Sequence, residues 1–146
     1  MTPFTEGSGG GFLRTSQDIF GPDAWGQSPA LAAQNGLLWV YARQFVAGSR
    51  VPGALLLYVY EFWSVDGALA FDEGVTRTAC LYGGSVFEVP GIPQAIGQRF
   101  RNGSQYALRA TFVMGKRRYV VMLTTTASMQ AEDIAHVARF AVAVAR

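Results

Sequence analysis

The sequence predicts an α+β fold: a twisted antiparallel sheet of about five to seven strands, two main amphipathic helices packed on it, and a short N-terminal helix. Half of the 146 residues are hydrophobic and only 15% are charged, which is the balance of a chain that buries a core. Segments that alternate between two faces dominate the chain, and short turns rich in Gly, Pro and Asn separate them. Two longer segments carry apolar residues at helical spacing, so helices are available to cover the sheet.

The chain is predicted to form a single α+β domain over residues 12–146. Residues 1–11 are dominated by Gly, Ser and Thr, which is typical of a flexible leader. A phosphate-binding loop would need a strand before the glycines and a helix after them, and neither pattern is present. The longest apolar runs, Leu37–Ala42 and Ala54–Tyr60, are far shorter than the roughly 20 residues of a membrane-spanning helix, so the chain is not membrane-spanning.

The first half of the domain is predicted to contain three strands and a short helix. Phe12–Phe20 is the first strand, and Ser28 caps a helix of about two turns. Leu37–Val46 and Ala54–Phe62 are strands on either side of a turn that contains Gly and Pro. Apolar residues occupy both faces of the second of these strands, which indicates a central strand that is covered on both sides.

Two amphipathic helices are predicted, and we expect both to cover the same face of the sheet. Ser64 is a good N-cap for the first, over residues 65–80, whose apolar stripe is Ala68, Phe71, Val75 and Ala79. Ser128 caps the second, over residues 129–145, whose apolar side is Ile134, Val137, Ala138, Ala141, Val142 and Ala145.

Four more strands are predicted between these helices: Val86–Val89, Ile96–Arg101, Tyr106–Met114 and Arg117–Thr125. The turn Gly115-Lys116 has glycine first, as a type II′ hairpin requires, and it pairs Met114 with Arg117. In the same register one face of the hairpin is apolar, and its residues are Leu108, Ala110, Phe112, Tyr119, Val121 and Leu123. Pro90-Gly91 is a tight turn in which we expect Gly91 to have a positive φ.

The composition indicates neither catalytic chemistry nor a bound cofactor. The net charge of +2 is too small to predict a nucleic-acid or anionic-membrane partner. Cys80 is the single cysteine and His136 the single histidine, so an internal disulfide and an ordinary zinc site are both excluded. His136 has carboxylates one helical turn earlier, but no nucleophile can be named beside it. The sequence therefore predicts no catalytic residue, no metal site and no cofactor, and it favours a non-enzymatic function.

The basic residues between positions 99 and 118 form one candidate site. No acidic residue interrupts this stretch, whose cations are Arg99, Arg101, Arg109, Lys116, Arg117 and Arg118. One interpretation is that this patch binds an anionic partner, for instance a phosphate or an acidic protein surface. The alternative is that charges on strand edges and hairpin tips prevent sheets from aggregating. Both interpretations stay open at this point.

A set of aromatic residues on two neighbouring strands forms the second candidate site. If Leu55, Leu57 and Val59 point toward the two helices, alternation sends the aromatics of that strand to the other side, where those of the neighbouring strand can join them: Trp39, Tyr41, Phe45, Tyr58, Tyr60 and Phe62. So large an apolar face must be covered by residues 12–36 or by another chain. We favour the latter, through a protein partner or self-association.

A pocket is the alternative to an interaction face. In that arrangement the cavity lies between the sheet and the short N-terminal helix, and it is lined by Trp25, Trp39, Tyr41, Tyr58 and Tyr60. The chain would then be a small hydrophobic-ligand-binding protein or a small enzyme.

Several motifs resemble a known domain family. They are Tyr60-Glu61-Phe62, the Ala-rich helix that begins near Ala68, the stretch Val89–Gly97, the hairpin Phe112–Val121 and a terminal Ala/Val/Arg helix. Together these motifs, over residues 37–146, resemble the PsbP/Mog1-like α+β domains of small actinobacterial envelope lipoproteins and secreted proteins. The resemblance implies a non-catalytic role in interaction or assembly and supplies no catalytic residue. The sequence lacks the signal peptide and lipobox of envelope members, so the localisation is cytoplasmic as written, or cell envelope or extracellular if an export signal has been removed.

Overall fold

A central antiparallel sheet with helices on it makes up the fold. A computed structural model describes residues 4–6, 11–13, 29–47, 54–81, 85–125 and 131–145. The elements within these residues are β1 (Phe4–Glu6), β2 (Gly11–Leu13), α1 (Pro29–Gln34), β3 (Leu37–Ala47), β4 (Ala54–Phe62), α2 (Val65–Leu81), β5 (Ser85–Glu88), β6 (Ile96–Asn102), β7 (Gln105–Met114), β8 (Arg117–Thr125) and α3 (Ala131–Ala145).

The strands form one sheet in the order β1–β3–β4–β8–β7–β6–β5, and β2 also pairs with β3. Every described pair is antiparallel. The α+β class with an antiparallel sheet is thus confirmed. Strands β4 and β8 lie in the middle, as the apolar residues on both faces of β4 predicted.

The N-terminal segment differs from its prediction as a flexible leader. Phe4–Glu6 pairs with residues 45–47 of β3, and Gly11–Leu13 pairs with residues 40–42 of the same strand. The remainder of the predicted strand Phe12–Phe20 lies outside the described residues. Because the outer backbone groups of β3 would otherwise be unpaired, an extended segment can bond to them whatever its side-chain pattern. Composition alone therefore did not reveal β1, whereas β2 overlaps the start of the predicted strand Phe12–Phe20.

The local turn predictions are confirmed. Strand β7 pairs with β8 in the predicted register, with Met114 opposite Arg117 and Leu108 opposite Leu123. Gly115 and Gly91 both have positive φ, 59° and 86°.

The two long helices lie on opposite faces of the sheet, which corrects the expectation that both cover one face. Helix α3 packs on the first core cluster, whose buried sheet residues include Leu55, Leu108, Ala110, Phe112, Val121 and Leu123. Helix α2 packs on the second, whose buried sheet residues are Val40, Tyr60, Phe62 and Val120. Since β4 and β8 are apolar on both sides, each face needs its own cover.

Small residues on α2 allow α1 to approach it closely. The N–H of Gly67 donates to Ser64 Oγ at 3.0 Å, which confirms Ser64 as the N-cap. A Cβ at Gly67 would lie 2.3 Å from the carbonyl oxygen of Asn35, and one at Gly74 would lie 2.7 Å from Leu31 Cδ2. Helix α1 therefore rests against α2 at positions where a larger side chain would push the helices apart.

We expect Gly91→Val to lower the melting temperature more than Gly103→Val does. Both glycines have positive φ, where a side chain costs about 1–2 kcal/mol. A Cβ at Gly91 would also lie 3.2 Å from Val142 Cγ2 of α3, whereas one at Gly103 meets no heavy atom within 4 Å. Thermal unfolding of the two variants measures the difference. Equal losses would contradict a role for the Gly91 turn in seating α3.

Candidate functional site

The six aromatics predicted to share one face are divided between the two faces. Strand register places Trp39 opposite Glu61 and Val40 opposite Tyr60. Directly opposed residues share a face, so Trp39 and Tyr41 lie on the α3 side of the sheet. Three others lie on the α2 side: Tyr58, Tyr60 and Phe62. The side chain of Phe45 lies outside the described residues.

Helix α2 buries the aromatics of β4, so that part of the predicted interaction face is wrong. Tyr60 and Phe62 are fully buried. Their ring centroids lie 5.8 Å and 5.2 Å from that of Phe71 on α2. Tyr58 is half-buried, and burial raises the pKa of its hydroxyl above the ordinary value. No second chain is needed to cover these side chains.

The predicted aromatic-lined pocket is not formed by the residues assigned to it. Trp39 and Tyr41 lie across the sheet from Tyr58 and Tyr60, so these four cannot line one cavity. Trp25 lies outside the described residues.

The six basic residues predicted as one patch occupy three separate places. Arg99 and Arg101 are exposed on β6, and Arg101 lies 5.3 Å from the ring centroid of Tyr106. Lys116 and Arg117 are exposed at the β7–β8 turn. The remaining two are buried on the α2 side: Arg109 and Arg118. A single anion-binding surface patch is therefore wrong, because alternation sends neighbouring cations to different faces.

Each of the two buried cations has a polar side-chain partner, which is Asp72 for Arg118 and Gln98 for Arg109. Arg118 Nε donates to Asp72 Oδ1 at 2.6 Å. The guanidinium lies 5.4 Å and 5.3 Å from the ring centroids of Tyr60 and Phe71. Arg109 Nε donates to Gln98 Oε1 at 2.8 Å, and its guanidinium lies 4.8 Å from the ring centroid of Phe100.

A second feature is a set of exposed apolar side chains at one end of the sheet. Among the described residues, six large hydrophobics are exposed, and five belong to this end: Leu38, Trp63, Val65, Leu69 and Met114. Trp63 is the most exposed, at 74%. The sixth, Val86, lies on β5 at the far edge of the sheet. We call the five the hairpin-end surface.

Backbone hydrogen bonds hold the segments of the hairpin-end surface together. The N–H of Trp63 donates to the carbonyl of Gly36 at 2.9 Å, which fixes the end of β4 to the start of β3. The N–H of Phe62 donates to the carbonyl of Lys116 at 2.9 Å, which fixes the same end to the β7–β8 turn. Helix α2 begins two residues later, at Val65.

Charges of both signs lie at the same end of the sheet as the hairpin-end surface. Arg117 Nε donates to Glu61 Oε2 at 2.8 Å, and the guanidinium lies 5.7 Å from the ring centroid of Trp39. Hydrogen bonding to Glu61 and then to Tyr119 raises the pKa of Arg117. Other exposed charges at this end are Lys116 and Asp66. The end of the sheet that carries the exposed apolar side chains thus also carries charges of both signs.

Sequence reasoning missed the hairpin-end surface because its residues come from three elements, β3, α2 and β7, and from the segment between β4 and α2. Val65 and Leu69 are four residues apart on α2 and lie outside the apolar stripe, which was the one available signal. Nothing in the local pattern around Trp63 or Met114 distinguishes an exposed side chain from a buried one.

The described residues show no arrangement typical of metal chemistry. No three His, Cys, Asp or Glu side chains among them lie close enough to hold a metal ion. His136 Nδ1 lies 3.1 Å from Arg139 Nη2 on the same helix. The side chain of Cys80 lies outside the described residues. Within the same part of the chain, no helix has the length and apolar character needed to cross a membrane.

The fold is similar to that of a solved structure. The chain superposes on the extracellular domain of PknH from Mycobacterium tuberculosis with a TM-score of 0.53 and 15% identity, over 96% of this chain and 79% of that one. No family model and no curated protein matches the sequence. At this identity the likeness extends to the fold alone.

We expect Asp72→Ala to lower the free energy of unfolding by about 3 kcal/mol, because it leaves the buried Arg118 without its counter-ion. Glu73→Ala is the matched control, since Glu73 forms a solvent-exposed ion pair with Arg77. In that variant the free energy of unfolding should fall by less than about 0.5 kcal/mol. Urea unfolding of both variants measures the difference, and equal losses would show that the Asp72–Arg118 pair is no stronger than a surface pair.

Proposed function

We propose that this chain is a non-catalytic binding domain that contacts a protein partner through the hairpin-end surface. The observation that carries the proposal is that five exposed large apolar side chains come from segments that backbone hydrogen bonds join at one end of the sheet. Single exposed hydrophobics are normal on a monomer, but several at one end of a fold, with charged residues beside them, are typical of an interaction site.

The composition of the surface favours a protein partner over a lipid surface. Tryptophan, methionine and arginine are the residue types enriched at the centres of protein interfaces, and Trp63, Met114 and Arg117 supply them here. A peripheral site for anionic lipid needs a cluster of cations. This end of the sheet instead balances Lys116 and Arg117 against Glu61 and Asp66.

The small extent of the surface favours a separate partner that binds and dissociates. Two buried core clusters, one on each face of the sheet, stabilise the domain without help from another chain. An obligate dimer buries a larger and more continuous apolar area than a handful of side chains provides. We therefore assign the surface to a transient contact with a different protein.

The sequence motifs support the same class of function. We propose on those motifs that the domain is PsbP/Mog1-like, a family whose small members act in interaction and assembly. The residues between Tyr60 and Phe71 include both a quoted motif and three members of the hairpin-end surface: Trp63, Val65 and Leu69.

We expect a photo-cross-linking amino acid at position 63 or 114 to capture one protein partner in cells that produce the chain. The same group at position 86 is the matched control, because Val86 is 56% exposed but lies at the far edge of the sheet. A Leu69→Lys change should abolish the adduct without lowering the melting temperature, since Leu69 is exposed. Mass spectrometry of the adducts identifies the partner.

Three outcomes would overturn the proposal. Equal adducts from positions 63 and 86 would show that the hairpin-end surface has no special role. Dimerisation of the purified chain in sedimentation experiments, lost in Trp63→Ser, would assign the surface to a second copy. Binding to phosphatidylcholine–phosphatidylglycerol vesicles, lost in the same variant, would assign it to lipid.

A further inference from the structure

A groove of about 480 Å³ lies between helix α3 and the start of the turn that follows β5. Its lining consists of one turn residue and five helix residues: Pro90, Ala135, Ala138, Arg139, Val142 and Ala143. The volume falls within the roughly 300–1,000 Å³ of pockets that bind small molecules. None of the six lining residues belongs to the hairpin-end surface, so the groove is a separate feature of the molecule.

The groove exists because small residues line one face of α3. Ala135, Ala138 and Val142 follow one another at spacings of three and four, which places them in a row along the helix. An alanine side chain ends at its Cβ, so a hollow remains between the helix and Pro90. A Cβ on Gly91 would lie 3.2 Å from Val142 Cγ2, which shows that the turn rests against the helix at one end of this row.

Arg139 supplies the charge of the groove and has no carboxylate partner in the part of the chain that the structure describes. Its Nη2 lies 3.1 Å from His136 Nδ1, and the other N–H donors of the exposed guanidinium have no protein acceptor there. An ion-pair partner on a helix lies three or four residues away. Those positions hold Ala135, His136, Val142 and Ala143, and none of these is acidic.

The chemistry of the lining defines the ligand class. Apart from Arg139, every lining side chain is aliphatic, so the groove offers neither an aromatic ring for stacking nor a second polar side chain. A sugar or a nucleobase would leave most of its polar groups without a partner. A molecule with an aliphatic body and one negatively charged end matches both parts of the lining. An anionic bilayer would instead need a cluster of cations.

We infer that this groove binds a medium-chain aliphatic carboxylate. The carboxylate accepts hydrogen bonds from the guanidinium of Arg139, and the alkyl chain lies over Ala138 and Val142 against Pro90. Ala138 is buried in the core beneath α3 and forms a fixed floor for that chain. This site does not depend on the proposed function, because the hairpin-end surface is formed by other residues.

The test is a thermal-shift titration of the full chain with octanoate, hexanoate, butyrate and 1-octanol, each below its micelle-forming or solubility limit and at constant ionic strength. We expect octanoate to raise the melting temperature with saturation. The affinity should fall by up to about fourfold for each methylene removed, since each one loses its apolar contact with the groove. 1-Octanol has the same chain without the charge, so it should bind roughly fivefold more weakly than octanoate.

Two variants separate the charged end of the groove from its apolar part. Arg139→Gln should reduce the affinity for octanoate to that for 1-octanol and leave the affinity for 1-octanol unchanged. Ala143→Leu adds a larger side chain to the groove from an exposed position, so it should fold normally and abolish the response to both ligands. Arg99→Gln is the matched control, because Arg99 is an exposed arginine on β6, and it should respond like the wild type.

Three results would overturn the assignment. The first is that octanoate gives no saturable stabilisation, and the second is that Arg139→Gln binds octanoate as tightly as Arg99→Gln does. The third is a normal response in Ala143→Leu with a lost response in Trp63→Ser, which would place the ligand on the hairpin-end surface. Because Arg139 is exposed, Arg139→Gln should fold, and it decides the question even if Ala143→Leu does not fold.

Discussion

The pairing of β4 with β8 is the contact on which the rest of the structure depends. It joins Ala54–Glu61 to residues 117–124 and so connects the N-terminal strands with the C-terminal ones. Both strands are apolar on both faces, so closing this pair creates two surfaces that need cover. Helices α2 and α3 provide it, one on each side. The buried pair of Asp72 with Arg118 then fixes α2 to β8, the strand at the centre of the sheet.

The sequence was informative wherever a feature depended on neighbouring residues. The Gly115 hairpin, the positive φ of Gly91 and the Ser64 cap are local, and all were predicted with their geometry. The division of the aromatics between the two faces of the sheet was not predicted, because it depends on how β3 pairs with β4. That register includes an irregularity between Leu37 and Trp39, and a shift of one residue moves every side chain to the other face.

The candidate sites show the same limit. Arg117 and Arg118 are adjacent in sequence, yet one is exposed beside Trp39 and the other is buried beneath α2. Alternation predicts that they separate, but not which of them finds a carboxylate inside the fold. Conversely, Trp63 and Met114 are far apart in sequence and reach the same end of the sheet only because the β7–β8 turn bonds to the end of β4. Tertiary contacts of this kind leave no signal in a local window.

The short strands β1 and β2 limit how copies of this domain can polymerise. A sheet with two open edges can add further sheets at both, so the association can propagate into a filament. Here residues 40–42 of β3 are already bonded to β2, and residues 45–47 are bonded to β1. Strand β5, with four residues, is the terminal strand on the other side. The sheet therefore ends in short strands on both sides, which offer few backbone groups to another sheet and so disfavour fibril formation.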